Sequence, residues 1–298
     1  MKSPNPVLNK LGFADDDRLV IIHTDDIGMS QASVAAFSDL AEVGIISCGA
    51  VMVPCPWFLE TAAYCRTHPG VDMGVHLTLT GGADTYRWGP ISTRDPASGM
   101  VDEQGFFYRS SEDAQEHGDP QAVQVELAAQ VNRALQAGIP VSHIDTHMGT
   151  VAHPKFMMAY IQLALENHIP AMVFRMDEEE WRASGLDSET ARMASRAVNQ
   201  LEDMGVPLLD GMTSLPLDKP DNKMEQARQA FARLPSGITH FIIHPAKDTP
   251  ELRAISKNWR ARVADFQTFA TPELAAYLKE KGIHVIGYQH LKGLLAGN

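Results

Sequence analysis

Short apolar runs of strand length alternate along this chain with longer stretches of helical period, and the runs repeatedly end on an ionisable residue. That rhythm predicts βα units. The first run, RLVIIHTDD at 18–26, leads into a helix expected from about Gln31 to Val43, with Ser30 as its N-cap and Gly44 as its stop. Further strands are expected at 48–53, 72–79, 142–148, 171–176, 239–245 and 284–288, with a weaker one near Leu208. Helices are expected between them, among others at 120–136, 154–167, 188–204, 222–234 and 272–281. Seven or eight strands separated by helices imply an α/β fold with a mainly parallel sheet, and the count favours a barrel of the TIM type. No internal repeat or linker divides the chain, so one domain is expected over residues 1–298.

One segment breaks the rhythm. Residues 81–119 are rich in Gly, Pro, Ser and acidic side chains, and such a long insertion is more often a functional lid than a spacer. Its aromatics, Tyr86, Trp88, Phe106, Phe107 and Tyr108, suit either stacking on a sugar face or a hydrophobic staple that holds the loop down.

Composition removes several function classes. The 25 basic and 37 acidic residues give a formal charge of −12, the wrong sign for a surface that binds nucleic acid or anionic membrane. The three cysteines, Cys48, Cys55 and Cys65, make neither a CxxC pair nor a disulfide framework, which suits a reducing compartment. Neither a signal-peptide core near the start nor a membrane-spanning run is visible, so a cytoplasmic location is expected. Oligomeric state is not legible, and a homodimer is allowed. The absence of GxSxG, P-loop, GxGxxG and HExxH patterns removes the usual serine hydrolase, nucleotide and zincin readings.

The ionisable strand ends carry the functional argument. Catalytic groups of barrels sit at the C-terminal ends of strands, and here Asp25, Asp26, His76, Asp145, His147, Arg175 and His244 all fall near such ends. In HIDTH at 143–147, strand alternation projects His143, Asp145 and His147 to one face. Two imidazoles and a carboxylate suit a divalent metal. For His143, deeper in the strand, a hydrogen-bonded interior role is the more natural reading. His76, on one face with Gly74 and Thr78, is informative only in company.

Adjacent Asp25 and Asp26 point to opposite faces of a continuous strand, so they can share a site only if the chain turns, which Gly28 would assist. A cation held by Asp26, His76 and His147 would relieve their mutual repulsion and leave Asp25 free as a base. Two solvated aspartates, with Asp26 or Ser30 capping the next helix, is the competing reading. His244 could act as an acid opposite that base, since imidazole titrates near neutral pH. Arg175 is a strand cation without a local partner: Asp25 is one carboxylate for it, and a structural ion pair with Asp177 or a helix residue is equally open. His23, His68, His117, His168, His240, His284 and His290 fit surface or core roles, and His153 fits a cap on the following helix.

The motifs HTDDIGMS, GVHLTLT, HIDTHMGT and IIHPA, in this order, resemble the YdjC-like carbohydrate (chitooligosaccharide) deacetylase family. GMVDEQGFFYR in the insertion, the stretch around 169–175, and RVADFQTF through GIHVIGY extend the likeness from about Arg18 to Leu291. The resemblance implies a distorted, polysaccharide-deacetylase-like (βα) barrel that removes acetyl groups from N-acetylated sugars with one divalent ion, Mg2+ or Zn2+. It implies Asp26, His76 and His147 as metal ligands, Asp25 as base, His244 as acid and Arg175 as the group that steadies Asp25. Gly149 departs from the family, many members of which carry another histidine there.

Two other classes share parts of this pattern. An Asp/His/His set also serves non-haem iron oxygenases, metal-dependent sugar isomerases and aldolases, although those leave Asp25 and His244 without a task. A non-catalytic sugar-binding homologue would keep the barrel and lose turnover.

Overall fold

Among the described residues, seven strands, β1 (Arg18–Ile27), β2 (Cys48–Val51), β3 (Met73–Leu77), β4 (Ile144–Thr146), β5 (Gly211–Ser214), β6 (Gly237–Ile243) and β7 (Ile283–Val285), form one parallel sheet in this computed structural model. Residues 3–43 and 45–295 are described. The order is β4-β3-β2-β1-β6-β5, with β7 also on β1. One edge of β1 runs along β6 from Arg18↔Gly237 to Thr24↔Ile243; the other edge is shared, β7 taking Arg18 to Val20 and β2 taking the upper part from His23.

Two single bridges, Ile144↔Ala171 and Phe174↔Leu209, close the ring between β4 and β5. The fold is therefore a distorted parallel α/β barrel. The strand expected at 171–176 is reduced to these bridge residues, because it meets β4 only at Ala171 and the chain before β5 only at Phe174. No ladder forms there.

Alternation along β1 divides the core in two. Leu19 and Ile21 join Val7, Leu8, Leu209, Ile238, Ile286, Tyr288 and Leu291 inside the barrel, whereas Val20 and Ile22 pack outward into the larger core beneath the helices. The short helices Pro6–Lys10 and Tyr288–Leu295 plug the N-terminal end of the barrel. Burying each Leu or Ile contributes about 1.5–3 kcal/mol, so this plug fixes the lower half of the interior and leaves the C-terminal end to polar groups.

Helix boundaries follow capping chemistry. Ser30 Oγ accepts the Ser33 N–H at the start of the helix Gln31–Val43, while Gly44, expected to stop it, lies outside the described residues. His153 caps the helix Pro154–Glu166 by accepting the Lys155 N–H. The insertion at 81–119 is far from structureless. Val101 and Phe107 form an antiparallel bridge, and Ser111–His117 is a helix. Trp88 and Phe107 are buried in the main core, and the Trp88 indole donates to the Thr80 carbonyl at 2.8 Å. These two aromatics are staples. Glu126, on the helix Pro120–Gln136, accepts the N–H groups of Ile91 and Ser92 and ties the insertion to the barrel wall.

Candidate functional site

The polar residues converge because β1 breaks its own alternation. The β1–β2 register shifts between Thr24 and Ile27, Asp26 adopts φ +61°, and Gly28 follows at φ +86°. A left-handed conformation costs a non-glycine residue about 1–2 kcal/mol. In return, the Asp26 carboxylate turns toward the site that Asp25 already faces. The turn read from the adjacent aspartates is present, with Asp26 itself bearing the strain.

Register places the other members. His76 on β3 pairs with Asp145 on β4, so both point into the barrel, and His76 Nδ1 lies 2.9 Å from each Asp145 oxygen. A donated Nδ1–H fixes the tautomer of the neutral ring, whose Nε2 lone pair would then face the aspartates. His147, the first residue beyond β4, brings Nδ1 to 3.1 Å from Asp26 Oδ1 and 3.4 Å from His76 Nε2. His76 Nε2 is 3.6 Å from Asp26 Oδ1. Donors at about 2.0–2.2 Å from a tetrahedral zinc stand about 3.3–3.6 Å apart; two edges of the triangle of Asp26, His76 and His147 fall in that span and the third, at 3.1 Å, is slightly shorter, so the three donors lie close enough to hold one divalent cation. Asp26 Oδ1 is also buried with no hydrogen-bond partner, an atom that a cation would satisfy. The donor set fits the group.

Continuing the β1–β6 register past Thr24↔Ile243 sets Asp25 beside His244, and His244 Nε2 lies 3.8 Å from Asp25 Oδ2. The same oxygen is 3.6 Å from His76 Nε2. The backbone N–H of His244 donates to Asp265, whose carboxylate also pairs with Lys223 at 3.0 Å. His244 Nδ1 is buried without a partner.

Opposing effects set the charges. Burial opposes ionisation of Asp26, but Arg262 and His147 outweigh it and hold the carboxyl well below its usual range. For Asp25, burial is likewise overcome by His76, His23 and His244, and the pKa is lowered. Burial would depress His76, yet the surrounding carboxylates, Asp145 first, raise it to about 10. Burial lowers His244, an effect Asp25 and Asp26 partly offset.

These groups open into a cavity of about 730 Å³, within the usual range for small-molecule sites. Asp25, Asp26, His147, His244 and Arg262 line it together with Tyr86 and Trp88 of the insertion. Tyr86 donates its hydroxyl to the Met29 carbonyl at 2.5 Å, so the loop roof is pinned to the β1 turn. Gly149, where the resemblance leads one to expect a histidine, also lines the cavity, at φ +69° and with open space around it.

The structure gathers six of the strand-end residues and leaves one out. Arg175 donates to Glu202 at 2.6 Å and to Asp210 at 3.0 Å, and it also meets the Ser3 carbonyl. Asp210 in turn accepts the N–H of Ile238 at the start of β6. Arg175 thus sits at the N-terminal end of the barrel, whereas Asp25 lies level with the far end of β6, about 20 Å away along the strand. The expectation that Arg175 steadies Asp25 is corrected: its carboxylates come from the helix Ser188–Asp203 and the chain before β5, and it is a structural ion pair.

The cation that does reach the site was missed. Arg262, on the helix Trp259–Phe269, lies 2.7 Å from Asp26 Oδ2. RVADFQTF contained it, but nothing in a helical arginine reveals which strand it returns to. His23, for which a surface or core role is expected from sequence, shares a strand face with Asp25 and lies 2.6 Å from it. There the alternation of β1 was signal enough.

The chain is similar to known proteins over most of its length. The YdjC-like protein family matches residues 19–280. A carbohydrate deacetylase of Thermus thermophilus is 28% identical over 274 residues, covering 92% of this chain and 94% of the relative. One from Thermoanaerobacter pseudethanolicus is 22% identical over 275 residues, covering 92% and 100%. Among solved structures, that of an Enterococcus faecalis V583 protein described as a candidate for cellobiose-phosphate cleavage is similar with a TM-score of 0.76 at 22% identity, covering 92% of this chain and 99% of the other; it supports the fold alone. With a family match spanning β1 through the last barrel helix, this chain belongs to the YdjC-like family.

Proposed function

We propose that the chain is a metal-dependent hydrolase that removes the acetyl group from the nitrogen of an amino sugar or short oligosaccharide. The observation that carries this reading is the arrangement of Asp25 and His244 about one open three-donor set on the cavity floor. An acetamide is a poor electrophile and an amine a poor leaving group, so the reaction needs an activated water, charge stabilisation and a proton donor. The names of the curated relatives point to the same chemistry.

Asp26, His76 and His147 would hold the cation, and His76 is kept in the required tautomer by Asp145. A divalent ion there supplies Lewis acidity, polarising the acetamide carbonyl and acidifying water, while three protein donors leave room for both. Two imidazoles favour zinc over magnesium. Asp25 takes the water proton through Oδ2, the oxygen turned toward His76 and His244. His244, whose Nε2 faces Asp25 Oδ2, donates to the departing amine. Arg262 neutralises Asp26 from the side away from His147 and keeps its carboxylate turned inward. Tyr86 and Trp88 close one wall and limit access of bulk water.

We take the enzyme to be a single barrel domain over 1–298 acting on a small acetylated sugar. Three free, buried cysteines suit a reducing, cytoplasmic compartment. Among the described residues, no helix is long and apolar enough to cross a membrane.

Acetate release from N-acetylglucosamine oligomers tests this function, with Zn, Co, Mn, Mg and Fe supplied separately to metal-stripped protein. Release that requires one of these ions is the expected result. No release with any ion, or consumption of oxygen in place of acetate formation, would overturn the reading.

A further inference from the structure

Below the cavity floor the barrel holds a second polar layer to which the proposed reaction assigns no task. His23 and His143 are fully buried and face each other with Nε2 atoms 2.8 Å apart. His23 Nδ1 lies 2.6 Å from Asp25 Oδ1, and His143 Nδ1 lies 2.8 Å from Ser142 Oγ. Four groups therefore form one chain from the middle of the barrel to Asp25, flanked by Asp145, 3.7 Å from His23 Nε2, and by Asp72, 3.8 Å from His143 Nδ1.

Proton counting limits how this chain can be wired. A single proton bridges the two Nε2 atoms. If it belongs to His143, then Ser142 donates to His143 Nδ1, and neutral His23 carries its proton on Nδ1. If it belongs to His23, then His143 Nδ1–H donates to Ser142, and His23 Nδ1 carries a second hydrogen because its 2.6 Å contact with the Asp25 carboxylate needs a donor. Either way Nδ1 of His23 bears a hydrogen aimed at ionised Asp25. The 2.6 Å separation is that of a short, charge-assisted hydrogen bond, donated by His23 Nδ1 and accepted by the Asp25 carboxylate.

The ring behind His23 is itself immobilised. His143 stacks on Tyr288 at 3.8 Å with an interplanar angle of 14°, and Tyr288 Oη lies 3.0 Å from His240 Nδ1. On its other side is Gly74, where an added Cβ would stand 2.5 Å from the His143 ring. That glycine makes room for the imidazole.

We propose that His23 is a positioning residue for the reaction at Asp25: its Nδ1–H, braced by His143, occupies Oδ1 and leaves Oδ2 as the oxygen that receives the water proton. Here the inference rests on the hydrolase reading, and it names a residue which that reading does not need. Without His23 the Asp25 carboxylate could rotate about its Cβ–Cγ bond and present either oxygen, or neither, in the reactive direction. Asn in place of His offers a side-chain N–H at nearly the same distance from the backbone, so it would restore the donor and lose only the link to His143.

Two measurements test this. Long-range proton–nitrogen NMR spectra of uniformly labelled wild-type protein report which imidazole nitrogens carry hydrogen, independently of turnover and of metal. A protonated Nδ1 at His23 is expected, and a bare Nδ1 would overturn the proposal. In acetate-release kinetics with N-acetylglucosamine oligomers, His23→Leu should lower kcat about 10- to 100-fold while KM and zinc affinity stay within about threefold, as for other groups that orient reacting side chains. His23→Asn should recover most of the lost kcat. A His23→Leu enzyme with wild-type kcat, or one whose loss His23→Asn does not repair, would refute the positioning role. Wild-type protein that releases no acetate would count against the hydrolase reading alone, and the NMR result would still decide whether His23 is the donor.

Discussion

The two ends of the barrel each hold a buried arginine among carboxylates, and they differ in what is left over. At the N-terminal end Arg175 donates to Glu202 and Asp210, and Asp210 also accepts from the Asn5 amide and the Ile238 N–H. None of these side chains has a buried polar atom without a partner. At the C-terminal end Arg262 pairs with Asp26, yet His244 Nδ1 and Nε and Nη1 of Arg262 are buried without a hydrogen bond, and Asp26 Oδ1 has only the His147 imidazole at 3.1 Å, in no well-aligned hydrogen bond. A lock satisfies every group it buries, whereas a site keeps donors and acceptors in reserve for something else. Stability is spent where the atoms are left open.

The sharpest way to break this contrast is to remove a ligand from the upper end. His76→Ala should abolish zinc binding, read by metal analysis after dialysis, and with it acetate release, while the fold survives. Asp25→Asn should keep the metal and lose about 10²–10⁴-fold in kcat, the usual contribution of a general base. Retained turnover in that variant would end the base assignment. At the lower end the signs reverse. Arg175→Met should cost about 3 kcal/mol in denaturant unfolding, because it strands Glu202 and Asp210, and should leave kcat and zinc affinity unchanged. A loss of turnover without loss of stability there would erase the distinction between the two ends. Arg262→Met should weaken zinc binding about 10- to 100-fold and change stability less than Arg175→Met does.

The smallest effect concerns pH. With no metal bound, His76 is raised from 6.5 to about 10 by Asp145, Asp25 and Asp26 acting against burial. Its protonation therefore stabilises the metal-free fold fully below about pH 6.5, and that contribution is lost as pH rises toward 10. The melting temperature of chelator-treated protein should fall across this window, and that of zinc-loaded protein should fall less. Zinc binding at neutral pH should also release a proton, measurable by calorimetry in buffers of different ionisation enthalpy.

The same contrast explains what was legible in the sequence. Groups of the upper end lie at or just beyond the ends of apolar strands, so period-two alternation and strand ends are enough to single out Asp25, Asp26, His76, Asp145, His147 and His244. Arg175 satisfied the same rule and belonged to the other end, because its strand is shortened to bridge residues and its partners come from a helix and a loop far along the chain. Arg262 was invisible for a related reason: the side chain that balances Asp26 sits on a helix, where the pattern records only which face is buried. His23, two residues before Asp25 on the same face, is within reach of the alternation argument, but a lone histidine in an apolar strand also has an ordinary core explanation. Strand edges were overestimated wherever pairing is reduced to single bridges, and the small terminal helices that plug the barrel carry too short a pattern to stand out.

The most direct test of the account is anomalous scattering from a crystal of the protein loaded with zinc. The expected result is one ion within about 2.0–2.2 Å of Asp26 Oδ1, His76 Nε2 and His147 Nδ1, with Asp25 and His244 beside it and unligated. An ion seated instead among His23, Asp25, Asp145 and His240, or no ion at either place, would contradict it.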